Sequence, residues 1–159
     1  MGKNEEALHN IVMGRALYRA GKNSEALSAY EMAIRLDPRN ADAYMLMAEL
    51  LIRMGRYKEA IDSINNAIEI KPTSLSNSLL ALAYYIKGSA LESLKMYMEA
   101  IRCYDSAITS EPTMVEAYMR KWICWESLLG PTHIRVVEAE MAFGKALSER
   151  EEKKRNDQK

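Results

Sequence analysis

AGKNSEALSAYEMAIRLDP (residues 20–38), MGRYKEAIDSINNAIEIKP (54–72) and LKMYMEAIRCYDSAITSEP (94–112) are three versions of one pattern. Each has an alanine, a large residue four positions on, a second alanine three further and a proline five beyond that. The sets are Ala26, Tyr30, Ala33, Pro38; Ala60, Ile64, Ala67, Pro72; and Ala100, Tyr104, Ala107, Pro112. Positions i, i+4 and i+7 share one face of an α-helix, where the small residues let a neighbouring helix approach and the large one fills the space between. Proline closes each unit because it cannot sit inside a helix and pushes the preceding residue out of helical geometry. The first two sets are 34 residues apart, and each follows another amphipathic segment ending in a glycine, Gly21 or Gly55. The chain therefore reads as helix, turn, helix, repeated.

This arrangement resembles the tetratricopeptide repeat family, in which an aromatic, Leu-Gly, an aromatic or Leu, Ala, an aromatic, Ala and Pro recur over about 34 residues. On that frame the units begin at Ala7, Ala41, Ala81 and Val115. Met13-Gly14 and Leu17 lead into the first alanine set; Tyr44, Met47-Ala48 and Leu51 into the second; Tyr84, Gly88 and Leu91 into the third. The third unit starts 40 residues after the second, which places an insertion within residues 73–80. It reads as an N-terminal extension of that unit's first helix, capped by Thr73, Ser74 or Ser76. The expected fold class is all-α: a right-handed α-α superhelix, or solenoid, of four such units. Its eight helices should lie near 5–20, 24–36, 41–54, 57–70, 75–94, 97–110, 114–129 and 133–152. One repeat domain is expected over residues 1–152, with units near 7–40, 41–74, 81–114 and 115–150 and a charged flexible tail at 153–159.

The last unit departs from the others. KWICWESLLGPTH (121–133) puts Trp122 where Gly14, Ala48 and Gly88 stand in the other units, and Trp125 where Leu17, Leu51 and Leu91 stand. Bulk at the small position implies that the second helix stands further off. Gly130-Pro131 and a delay of about five residues, over 130–138, before Ala139, Phe143 and Ala146 supply the slack. Cys124 and His133 are then incidental to a modified terminal repeat.

Composition narrows the chemistry. Lys plus Arg equals Asp plus Glu at 22 each, so no global field draws the chain to nucleic acid or to an anionic membrane. The longest apolar run, LLALAYYI (79–86), is too short to cross a bilayer, and the N-terminus lacks the apolar core of a signal peptide. Cys103 and Cys124 make no disulfide framework, which fits a cytoplasmic setting. Glu6-Ala-Leu-His9 has the Glu-x-x-His spacing of bundle-type di-iron ligands, but no second copy exists, because Gly130 stands three residues before His133. No phosphate loop, paired-carboxylate motif or nucleophile-base set is present, so neither an enzyme nor a cofactor or metal is expected.

The family resemblance implies a function. In such proteins the first helix of each unit lines a concave groove that receives a peptide or helix of a partner. The equivalent positions here include Ile11, Arg15, Tyr18 and Arg19; Leu46, Glu49 and Arg53; Tyr85, Ile86 and Ser89; and Met119 and Arg120. Arg15, Arg19 and Arg53 are expected to hold acidic groups, with Ile11, Leu46, Tyr85, Ile86 and Met119 making apolar contact. Family members that bind chaperone carboxyl termini use Lys and Asn, then Asn, then Lys and Arg at set groove positions. Here these hold Ile11 and Arg15, Leu46, then Leu82 and Ile86; one unit later they hold Met45 and Glu49, Ile86, then Glu116 and Arg120. That clamp is absent in either frame. The expectation is a non-catalytic scaffold binding a protein or peptide of unstated identity. The alternative is a self-assembling protein, with the groove filled by its own or a neighbour's terminus.

Overall fold

A computed structural model of the chain describes residues 2–70 and 76–158, which form eight α-helices and no strand. Contacts divide the chain into two compact units, Met1–Ser74 and Leu75–Lys159. The first holds α1 (Lys3–Arg19), α2 (Asn23–Leu36), α3 (Ala41–Arg53) and α4 (Tyr57–Glu69). The second holds α5 (Asn77–Ser93), α6 (Tyr97–Ser110), α7 (Val115–Leu129) and α8 (Ile134–Asn156). Every expected helix is present, each as one member of an antiparallel pair.

The alanine sets do the packing that their spacing implies. Ala26, Ala33, Ala60, Ala67, Ala100 and Ala107 are fully buried, as are Ile64 and Tyr104, while Tyr30 is 1% exposed. Opposite each tyrosine lies a helical glycine. A Cβ built on Gly14 would stand 2.5 Å from Cε1 of Tyr30, and one on Gly88 2.6 Å from Cε1 of Tyr104. Only a residue without a side chain admits the ring there.

Within each of the first three pairs the turn is the same device. Gly21 (φ 76°), Gly55 (φ 75°) and Lys95 (φ 60°) adopt left-handed backbone. The following amides of Lys22, Arg56 and Met96 bond back to the carbonyls of Leu17, Leu51 and Leu91 at 2.9, 2.8 and 2.9 Å. This closes the helix end by the Schellman route, with lysine rather than glycine in the strained place of the third pair.

Asn77–Leu80 form an added first turn ahead of Ala81, and Ser76 caps it, its Oγ accepting from the Leu79 amide at 3.3 Å. Pro72 and the other candidate caps, Thr73 and Ser74, lie outside the described residues. In the last pair Trp122 stacks on Phe143, with ring centroids 5.9 Å apart and 16° between planes, so an aromatic sandwich replaces the glycine-tyrosine contact. His133 is the N-cap of α8, its Nδ1 accepting from the Arg135 amide at 3.2 Å.

The last helix runs further than its expected bound of residue 152, since α8 continues to Asn156. Arg150 ties the helix to Glu116 of α7 at 2.7 Å, and Lys153, Lys154 and Arg155 place positive charge on its last turn, where the helix dipole favours it.

Candidate functional site

In the first unit, α1 contributes Arg15, Tyr18 and Arg19, α3 contributes Leu46 and Glu49, and α2 contributes Tyr30 to the lining of one pocket of about 180 Å³. Arg53, at the end of α3, lays its guanidinium over the Tyr18 ring, 4.9 Å from the centroid, a cation-π contact that holds positive charge beside the same pocket. Six of the expected binding residues are thus brought together. Among the described residues none of Arg15, Arg19 and Arg53 has an ion-pair partner within 4.0 Å. Burial pushes the Glu49 carboxyl above the usual carboxylate range, and Arg15 opposes that rise.

Ile11 does not join them. It is 6% exposed and packs with Ala33 and Ala43, so its side chain is spent in the core. Tyr30 was legible in the sequence only as core. Its ring is core, yet its hydroxyl belongs to the pocket's electrostatics: burial raises it, Arg15 lowers it, and Glu49 and Tyr18 raise it further. The signal was available, because the large position holds Tyr30, Ile64, Tyr104 and Phe143, and only the tyrosines bring a polar atom that needs a partner.

The second unit is built differently. Arg120 of α7 donates from Nη1 to Oε1 of Glu92 at 3.1 Å, and the Tyr104 hydroxyl donates to Oε2 of the same carboxylate at 2.7 Å. The Tyr85 ring leans on Tyr104, with centroids 5.9 Å apart and 49° between planes. Arg120 is therefore already neutralised. Ile86 is 4% exposed and belongs to the core, whereas Ser89 and Met119 are half-buried. Two acidic residues of this unit are ion-paired, Glu92 with Arg120 and Glu116 with Arg150. Glu116 is held below the usual carboxylate range by its own backbone amide, with Arg150 adding to the effect.

A reactive thiol has no support. Cys124 is fully buried, and burial pushes its thiol up to about 12. Burial also raises Cys103, against Lys87. Among the described residues no three His, Cys, Asp or Glu side chains are grouped to hold a metal ion. No helix among them is long and apolar enough to cross a membrane.

Eight helices in antiparallel pairs, with the same small and large residues recurring at each contact, define a helical-repeat protein. Two models described as tetratricopeptide repeat match residues 11–74 and 81–114, more than half of the chain, which belongs to the tetratricopeptide repeat family. One relative, the inactive TPR repeat-containing thioredoxin TTL3 of Arabidopsis thaliana, is 33% identical over 127 residues, 79% of this chain. The chain spans only 18% of that relative's length.

Among solved structures, the crystal structure of MamA superposes with a TM-score of 0.78 at 24% identity, covering 94% of this chain and 81% of its own. The first TPR of Spaghetti (RPAP3), bound to the HSP90 peptide SRMEEVD, gives 0.72 at 23% identity, covering 79% and 94%. The Arabidopsis OM64 TPR domain gives 0.72 at 25% identity, covering 79% and 99%. All three share the fold of paired helices.

Proposed function

We propose that this chain is a non-catalytic interaction module that binds an acidic segment of another protein through the arginine pocket of its first unit. The observation that carries the reading is the convergence of Arg15, Arg19 and Arg53, none of them ion-paired among the described residues, around Tyr18 and Leu46. Arginine presents a planar fork of donors suited to carboxylates, and an apolar wall beside it strengthens such contacts by excluding water. In the second unit, taken by itself, Glu92 already neutralises Arg120. One structural relative holds a peptide with two adjacent glutamates, which supports an acidic ligand, although the residues that line the pocket here are not the chaperone-type clamp. Both cysteines are free, which fits a reducing cytoplasm, and the balanced charge gives nucleic acid no field to follow.

Selection of displayed random peptides on the wild-type chain should enrich acidic sequences. Replacing Arg15, Arg19 and Arg53 together by Glu should abolish their capture while leaving the helical melt nearly unchanged. Undiminished capture by the triple variant contradicts the assignment.

A second reading, association with further copies of the chain, draws on an exposed apolar stripe on α8. Ile134 is 63%, Val137 38% and Met141 70% exposed, where the α4 equivalents include Lys58 and Asp62. Sedimentation over a range of concentrations decides it, since a monomer throughout removes this reading.

A further inference from the structure

Tyr30 and Tyr104 hold the same position in the repeat, and each ring lies under a helical glycine, Gly14 or Gly88. Their hydroxyls meet different surroundings. In the second unit one carboxylate, that of Glu92, is gripped twice: the Tyr104 hydroxyl donates to Oε2 at 2.7 Å and Arg120 Nη1 donates to Oε1 at 3.1 Å. The carboxylate comes from α5 and the guanidinium from α7.

The first unit has the same three groups with the charges exchanged between helices. Arg15 comes from α1, the counterpart of α5, and Glu49 from α3, the counterpart of α7. At the repeat position of Glu92 stands Tyr18, and at that of Arg120 stands Leu46. Among the described residues no carboxylate, that of Glu49 included, is hydrogen-bonded to Tyr30 or ion-paired with Arg15. Among the described residues the Tyr30 hydroxyl makes no hydrogen bond and Arg15 no ion pair, and both residues line the pocket of about 180 Å³. Liquid water occupies about 30 Å³ per molecule, so this is room for a side chain and not for a single solvent molecule.

We infer that a glutamate or aspartate side chain of the bound segment takes, in the first unit, the place that the Glu92 carboxylate has in the second, with the Tyr30 hydroxyl donating to one oxygen and Arg15 to the other. The inference rests on the acidic-segment reading above and adds to it a residue, Tyr30, and a ligand group. A side-chain carboxylate is specified because the internal example is itself a side chain. Glu49, in the same lining, makes the pocket selective: its charge opposes an acid that Tyr30 and Arg15 do not both hold.

The test is fluorescence anisotropy with two labelled peptides of Ala, Leu and either Glu or Gln, both acetylated and amidated so that neither has a terminal carboxylate. Wild type should prefer the Glu peptide. Tyr30→Phe keeps the ring under Gly14 and removes only the hydroxyl, so it should weaken the Glu peptide about tenfold, leave the Gln peptide unchanged and preserve the thermal midpoint. Arg15→Gln, on the surface of α1, should reduce the Glu-to-Gln ratio similarly without touching the core. An unchanged ratio in Tyr30→Phe, with wild type discriminating, overturns the role of Tyr30 and leaves the arginine pocket standing. An equal loss for both peptides assigns Tyr30 a structural role and also overturns it. If wild type does not discriminate, or binds only peptides with a free carboxyl terminus, the side-chain inference falls; the former outcome takes the acidic-segment reading with it.

Discussion

Replacing Gly14 by alanine adds one methyl group where α1 meets the Tyr30 ring of α2. The new Cβ would lie 2.5 Å from Cε1, 2.7 Å from Cδ1 and 3.1 Å from Cζ of Tyr30, a ring only 1% exposed that packs in one core cluster with Ala26 and Leu50. Contacts that short force the ring or the helix to move, and overpacking of this kind costs about 1–3 kcal/mol, here toward the upper end because ring atoms and not a flexible tip are struck. Alanine recovers about 1 kcal/mol of helix propensity, which leaves a net loss of roughly 2 kcal/mol. For a chain of this size that is a fall of about 4–8 °C in thermal midpoint. Gly144, also helical, has nothing within 4 Å of a built Cβ, so the same substitution there should gain about 1 kcal/mol. Urea unfolding followed by helical circular dichroism measures both. Opposite signs at the two sites, with Gly14→Ala partly rescued by Tyr30→Leu, are expected. A neutral or stabilising Gly14→Ala would refute the ring-under-glycine packing from which the repeat geometry was argued.

Tyr104→Phe leaves the ring in place but takes one of two donors from the Glu92 carboxylate, so it should cost about 2 kcal/mol in urea unfolding, a hydrogen bond to a charged acceptor being worth about 1.5–3 kcal/mol. In the last pair, a double-mutant cycle of Trp122→Leu and Phe143→Leu should show coupling of about 1 kcal/mol from their stacking, and additivity within error would mean that the rings are not in contact. Burial holds the folded-state pKa of Glu49 above its unfolded value. The carboxyl therefore favours folding below the unfolded pKa and forfeits that contribution as pH rises through the folded one. Glu49→Gln should raise the thermal midpoint at neutral pH and lose that advantage as pH falls into the usual carboxylate range; an advantage that persists in acid would rule out this cause.

Much of this was written in the sequence because repetition multiplies weak signals. Tyr30 and Tyr104 each fit many helices; only their recurrence with flanking alanines and a following proline, in phase with Gly14 and Gly88, marks the close approach that the structure shows. Trp122 was informative for the same reason, as a departure from an established small position.

The site was less legible, since a position on a helix face does not say which neighbour that face meets. Ile11 falls at a binding position of the family, yet α2 and α3 cover it. The pairing of Arg120 with Glu92, 28 residues away, depends on two side chains from different repeats reaching one point. Tyr30 was concealed because its ring satisfies the apolar pattern and its hydroxyl, on which the pocket chemistry turns, leaves no periodic trace. The contact of Arg150 with Glu116, 34 residues away, is likewise announced by no local motif.

The central claim is that an acidic segment is bound by the first unit at the arginine pocket. Amide and side-chain NMR shifts recorded while the amidated Glu peptide is added locate binding residue by residue. The account predicts saturable shifts concentrated at Arg15, Tyr18, Arg19, Tyr30, Leu46, Glu49 and Arg53, and clearly smaller ones at the same concentrations of the Gln peptide. Shifts centred instead on α6 and α8, or the same response to both peptides, would contradict it.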